Sequence, residues 1–216
     1  MIKPEHLQVS NHLTTRYDAI LFDFDGVLAD TEPLHFACWS EILAPFGIEL
    51  EWSMYQKQCV GISDRTMVER LAAEQCPDIP MERIWPEYDR KKSMFRDRLE
   101  AEPPFLVETI EMVKNLSTFY KLAVVSSSGR SEVEPPVERA GFRSCFQAFI
   151  CGYDVPNLKP APDPYLHAAK LLGATRPLVI EDSDAGVASG QAAGFEVLRV
   201  SSAANVAAEV RARLSI

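Results

Sequence analysis

Residues 19–31 read AILFDFDGVLADT. Ala19 to Phe24 has the short, apolar, Ile- and Phe-bearing character of a strand, and it stops at acids and a glycine, where such a strand must turn. Asp23 and Asp25 stand two residues apart at that end, so alternation would aim both side chains to one side if the strand ran on. Such a pair can divide labour. One ionised carboxylate can attack phosphorus while the other, its pKa raised by burial and a like charge, donates and retrieves a proton. Gly26 lets the backbone turn close to a ligand. Asp-Gly also marks ordinary turns and Asp starts helices, so the string by itself leaves a structural reading open.

Four further apolar runs lie downstream: Lys121 to Ser126, Phe146 to Cys151, Leu178 to Asp182 and Phe195 to Val200. Amphipathic stretches separate them, among them Val107 to Leu116 and Pro164 to Leu172, the latter closed by Gly173 as a C-terminal cap. Strands alternating with helices predict an α/β fold built on a parallel sheet. About ninety residues separate the first two runs, whereas the later ones recur every few tens of residues as ordinary βαβ units do. An insert is therefore expected at residues 33–102, whose patterns (HFACWSEILAPFGI, SDRTMVERLAAEQ, ERIWPEYDRKKSMFRDRL) are helical. It ends at the Pro103-Pro104 break. Residues 1–32 and 103–216 form the α/β core.

Polar residues gather at the C-terminal ends of the other runs, where open parallel sheets bind ligands. Ser126, Ser127 and Ser128 follow the second run; hydroxyls and free backbone N–H groups there suit a phosphate oxygen, or simply a polar loop and helix cap. Lys159 sits in the proline-stiffened segment NLKPAPDP. It is suited to neutralising phosphate charge, although proline at a first helical turn also has ordinary reasons. Glu181 and Asp182 close the fourth run, offering hard oxygen ligands for Mg2+ or a cap for the next helix, and Asp184 beside them stands either behind such ligands or as a helix N-terminal charge.

Composition narrows the function classes. The net charge of -9 without a basic cluster argues against a nucleic-acid surface, so any phosphate site must be local. No apolar run approaches the roughly 20 residues of a bilayer span, and the polar N-terminal stretch lacks an apolar h-region, so a cytoplasmic protein with no membrane partner is expected. Five scattered cysteines without a C-x-x-C pair are expected to be free thiols, and the four histidines are too dispersed to suggest a metal site.

Taken together, DFDGVLADTEPLH, VVSSSG, NLKPAPDPYLHAAKLLG and VIEDSDAGVASGQAAG resemble the haloacid dehalogenase superfamily. The resemblance is to the branch with a helical cap after the first motif, which includes phosphoglycolate phosphatases, sugar-phosphate phosphatases and β-phosphoglucomutases. It spans nearly the whole chain; only the first seventeen or so residues fall outside it. It implies a Rossmann-like core, Asp23 as nucleophile, Asp25 as general acid/base, and Ser126 and Lys159 holding the transferred phosphoryl group, with Ser127 beside them. It also implies Mg2+ held by Asp23, Asp182 and the Asp25 carbonyl, with Glu181 acting directly or through water. The first helix after the cap, in PFLVETIEMV, lacks a glycine often found there.

The expected activity is hydrolysis of a small phosphate ester, such as phosphoglycolate or a sugar phosphate, by a monomer or weak dimer. One alternative is β-phosphoglucomutase-type transfer: His35, Trp39 and the Gly61–Arg65 loop resemble cap elements of that relative. The loop, however, carries Asp64 where its arginine is expected and Arg65 one place later. A non-catalytic sugar-phosphate-binding module is a further alternative. Arg65, Lys91, Lys92 and Arg96 could meet a second anionic group, but YDRKKSMFRDRL reads more readily as a solvated charged helix face.

Overall fold

The computed structural model describes residues 16–60, 62–101 and 104–216. Five parallel strands form one sheet: β1 (Ala19–Phe22), β2 (Lys121–Val125), β3 (Ala148–Ile150), β4 (Pro177–Glu181) and β5 (Glu196–Arg199). They lie in the order β3-β2-β1-β4-β5, with Phe22 paired to Val124 on one side and Ile180 on the other. All five expected strands are present. The order reverses direction at β1, the kind of switch point where α/β sheets open a crevice beyond their strand ends.

Strand alternation splits the core in two. Ile20, Phe22, Leu122, Val124, Leu178 and Ile180 face α6 (Val107–Leu116), α7 (Arg130–Arg139) and α10 (Val206–Leu214) through Met112, Val113, Val133, Val137 and Val210. Ala19, Leu21, Ala123, Val125 and Val179 face α8 (Asp163–Leu172) through Tyr165, Ala168, Ala169 and Leu172. On that same face α9 (Asp184–Ala192) brings Gly190 against Val179 and Val197. Burial on both faces is why β1, and β4 as far as Ile180, are continuously apolar rather than alternating.

Between β1 and β2 the chain is helical: α1 (Glu32–Leu43), α2 (Trp52–Gln58), α3 (Asp64–Gln75), α4 (Met81–Ile84) and α5 (Tyr88–Ala101). These helices bury a cluster of their own around Trp39, Ile42, Leu43, Ile48, Tyr55, Val68, Leu71 and Ile84. Among the described residues no helix is long and apolar enough to cross a membrane. The expected break at Pro103-Pro104 lies partly outside the described residues, as do Gly61 and residues 1–15.

The first run was expected as a strand to Phe24 but ends at Phe22. Asp23 still donates its N–H to the Ile180 carbonyl at 3.0 Å, after which Leu28 and Ala29 both bond back to the Phe24 carbonyl at 3.0 Å. A tight loop thus carries Asp25, and its closure by Gly26 N–H to the Ala29 carbonyl, 2.9 Å, replaces strand alternation as the device that aims this side chain.

Candidate active site

Asp23 is the first residue beyond the central strand and is only 7% exposed. Its Oδ1 accepts from Lys159 Nζ at 2.5 Å. The same ammonium donates to the Val125 carbonyl at 2.9 Å and to Glu181 Oε1 at 2.6 Å, so the lysine spans the ends of β1, β2 and β4. Burial opposes its charge, yet the Asp23 and Glu181 carboxylates hold its pKa above the ordinary lysine value. Asp23 lies on the other side of this balance: burial and then the Glu181 charge push its carboxyl well up, against the pull of Lys159.

Asp25 is held from three directions. Thr31 Oγ1 donates to Oδ1 at 2.8 Å, Ser128 Oγ to Oδ2 at 2.8 Å, and Ser126 Oγ to Oδ2 at 3.5 Å. Ser126 also accepts from the Ser128 N–H at 3.0 Å, which folds the serine run into a compact turn. Ser127 is exposed, and its hydroxyl enters none of the hydrogen bonds among the described residues. Besides Ser126, the residue of this run that reaches Asp25 is Ser128. Its signal was present in the triple serine, but periodicity does not tell which hydroxyl a turn aims inward.

Glu181 is fully buried, and both its oxygens are engaged. Oε1 accepts from Lys159 and, at 2.7 Å, from Tyr165 Oη; Oε2 accepts from the N–H groups of Asp182 and Ser183 and from Ser183 Oγ at 3.1 to 3.3 Å. Gly186 makes room for it, because a Cβ there would lie 1.7 Å from Oε1. Asp184, by contrast, points to solvent and pairs with Arg199 at 2.6 Å.

Asp23, Asp182 and Glu181 each offer an oxygen within 4.8 Å of the others. Asp182 accepts no hydrogen bond from another of the described residues, and burial followed by the Glu181 charge pushes its carboxyl up to about 6. Crowded carboxylates with one lysine between them, one carboxylate still free to bind, form the oxygen donor set that suits a hard divalent cation.

The helical insert brings a second polar group near Asp25. Thr31 and His35 lie one turn apart at the start of α1, and the Asp25 charge acts on both His35 and Glu32. Lys91 of α5 is only 2% exposed, which corrects the expectation of a solvated face at this position. It donates to His35 Nδ1 at 2.8 Å and to Asp64 Oδ2 at 3.2 Å, lying over the rings of Trp39 and Phe95. A buried amphipathic stem with a paired head is stable on an otherwise charged helix. Lys92 and Arg96 do keep to the solvated side: Lys92 pairs with Asp89 at 2.8 Å, and Arg96 is exposed. Arg65 is turned to Glu69 at 2.9 Å and over the Trp85 ring.

Residues 20–200 match the family model described as haloacid dehalogenase-like hydrolase. The chain belongs to that family. As a haloacid dehalogenase-like hydrolase it is similar to a phosphorylated carbohydrates phosphatase of Thermotoga maritima, 30% identical over 83% of this chain and 82% of the relative. It is also similar to the fructose-1-phosphate phosphatase YqaB of Escherichia coli, 29% identical over 86% of this chain and 97% of the relative. Among solved structures, CbbY of Rhodobacter sphaeroides in complex with phosphate superposes with a TM-score of 0.64 at 26% identity, covering 84% of each chain.

Proposed function

We propose that this haloacid dehalogenase-like hydrolase is a phosphomonoester hydrolase that works on a small phosphorylated metabolite through a phosphoaspartate on Asp23. The observation that carries this reading is the meeting, at the end of the central strand, of a buried carboxylate, a lysine ammonium at 2.5 Å and a second aspartate gripped by three hydroxyls. The phosphatases among its relatives support the same reaction class.

Asp23 Oδ attacks phosphorus in line with the leaving oxygen. Asp25 protonates that oxygen as the ester bond breaks, then takes a proton from the water that cleaves the phosphoaspartate. Thr31 and Ser128 fix the Asp25 carboxyl so that one group serves both steps. Lys159 balances negative charge on the phosphoryl oxygens, and Ser126 with nearby backbone N–H groups holds them. Glu181 acts mainly on the lysine, whose ammonium it holds together with Asp23 and the Val125 carbonyl. Asp23 and Asp182, with the Asp25 carbonyl and with Glu181 directly or through water, would hold Mg2+. Bound there, the ion would offset the Glu181 charge that, after burial, raises the Asp23 and Asp182 carboxyls, and it would polarise the phosphoryl oxygens.

Residues 33–102 serve as the cap, excluding water and contacting the leaving group. Arg139 of α7 donates to the Glu100 carbonyl of α5 at 2.5 Å, so insert and core are in contact there. Hydrolysis is favoured over mutase transfer because Arg65, turned to Glu69, is not placed to grip a second phosphate. Phosphorus NMR during turnover tests this. Inorganic phosphate should appear stoichiometrically with ester loss and without a bisphosphate activator. Conversion of β-glucose 1-phosphate to glucose 6-phosphate with little free phosphate would sink it.

A further inference from the structure

The polar cluster that the insert presents near Asp25 has an unusual charge balance. Its cation, Lys91, is spent on Asp64: Nζ lies 3.2 Å from Oδ2, while Oδ1 of the same carboxylate accepts from Trp39 Nε1 at 2.8 Å. Asp64 is fixed there because it opens α3, where Ser63 caps the helix by accepting from the Thr66 N–H at 3.2 Å and the helix N-terminus favours an acid. Since ammonium can only donate, His35 Nδ1 accepts from Lys91, and the ring is neutral with its proton on Nε2. Its charged form is further disfavoured by burial and by the Lys91 charge, which lower its pKa to about 4.

Glu32 completes the group. It stands in the first turn of α1, and its Oε2 accepts from Tyr55 Oη at 2.9 Å. The neighbouring cations are engaged elsewhere, Arg65 on Glu69 and Lys92 on Asp89. Lys91 and Asp64 therefore cancel, His35 is neutral, Asp25 carries the proton it gives to the leaving oxygen, and the Glu32 carboxylate remains. A leaving group that carried its own carboxylate or phosphate would meet the Glu32 carboxylate, while Lys91 is already paired with Asp64 and Arg65 with Glu69. Neutral hydroxyls would find an acceptor in the Glu32 carboxylate and a donor in the His35 ring.

We propose that Asp64 sets the charge selectivity of the site, so that the enzyme takes monophosphate esters of neutral polyhydroxylated alcohols and rejects esters bearing a second anionic group. This rests on the phosphatase reading of the Asp23 centre. It separates substrates that the reading alone leaves equivalent.

Matched pairs of equal carbon skeleton provide the test: 2-hydroxyethyl phosphate against 2-phosphoglycolate, and glycerol 3-phosphate against 3-phosphoglycerate, each assayed with Mg2+ by phosphate release. The wild-type kcat/KM should favour the neutral member of each pair by about tenfold or more, and Asp64→Asn, which keeps an acceptor for Trp39 but frees the Lys91 charge, should cut that ratio by about tenfold. Lys91→Gln should move the ratio the other way. A change in stability alone would lower both members together and leave the ratio fixed. Equal or reversed preference in the wild type, or a ratio unmoved by Asp64→Asn, overturns the proposal while leaving the phosphatase standing. Failure to cleave any ester overturns both.

Discussion

Gly26 and Asp182 approach so closely that a Cβ on the glycine would lie 2.1 Å from Asp182 Oδ2. Gly26 also has φ +77°, a conformation that other residues adopt only under strain. The loop that aims Asp25 and the carboxylate assigned to the cation thus share one space. Gly26→Ala is expected to lower kcat by about a hundredfold through displacement of these groups, at a stability cost of about 1–3 kcal/mol. Steady-state kinetics beside a urea melt would check this; an active Gly26→Ala enzyme would show the loop to be dispensable.

Glu181 holds Lys159, Tyr165 and the start of the loop before α9. Glu181→Ala leaves a buried ammonium and a buried phenol short of an acceptor, and should destabilise the protein by about 3–5 kcal/mol in denaturant unfolding. Glu181→Gln, which keeps the volume and one acceptor, should cost less. Equal losses for the two variants would mean that packing, not pairing, sets the cost.

The position of each strand and the polar residues that gather at the strand ends were legible in the sequence, because a strand buried on both faces leaves an apolar run and its polar end stands out against it. Aim was not. Ser128 rather than Ser127 reaches Asp25, since a hydrogen bond from Ser128 N–H to Ser126 Oγ curls the turn. Lys91 hides on a helix in which eight of fourteen residues are charged; the aromatic rings of Trp39 and Phe95 and the partners His35 and Asp64, distant in sequence, make its burial favourable. Helix α7 left little signal either, because Pro135 and Pro136 sit inside it, where each removes a backbone donor.

Burial and the charge of Glu181 raise the Asp182 carboxyl to about 6 from an ordinary 3.8. A raised acid binds more protons folded than unfolded between those values, so its contribution to stability falls as pH rises through the window. In EDTA, Asp182→Asn should therefore be more stable than wild type at pH 7, with the advantage shrinking towards pH 4. Adding Mg2+ should reverse the order at pH 7, because only the carboxylate binds the ion. Thermal melts across pH would show it; a constant difference would remove Asp182 from the like-charge cluster.

His35 supplies an independent check on the insert. Burial and then the Lys91 charge lower its pKa to about 4, so its imidazole should remain neutral at pH 6, with the proton on Nε2. Nitrogen-resolved NMR of the ring would reveal this. Ordinary titration near 6.5 would place Lys91 elsewhere.

The most direct test is turnover of an aryl phosphate by Asp23→Asn in saturating Mg2+. An amide is a poor nucleophile, and the native carboxyl is one of several crowded acids. The variant should therefore fold with unchanged or higher thermal stability and lose at least about a thousandfold in kcat. A folded Asp23→Asn enzyme that keeps kcat within tenfold of wild type would contradict phosphoryl transfer through this residue.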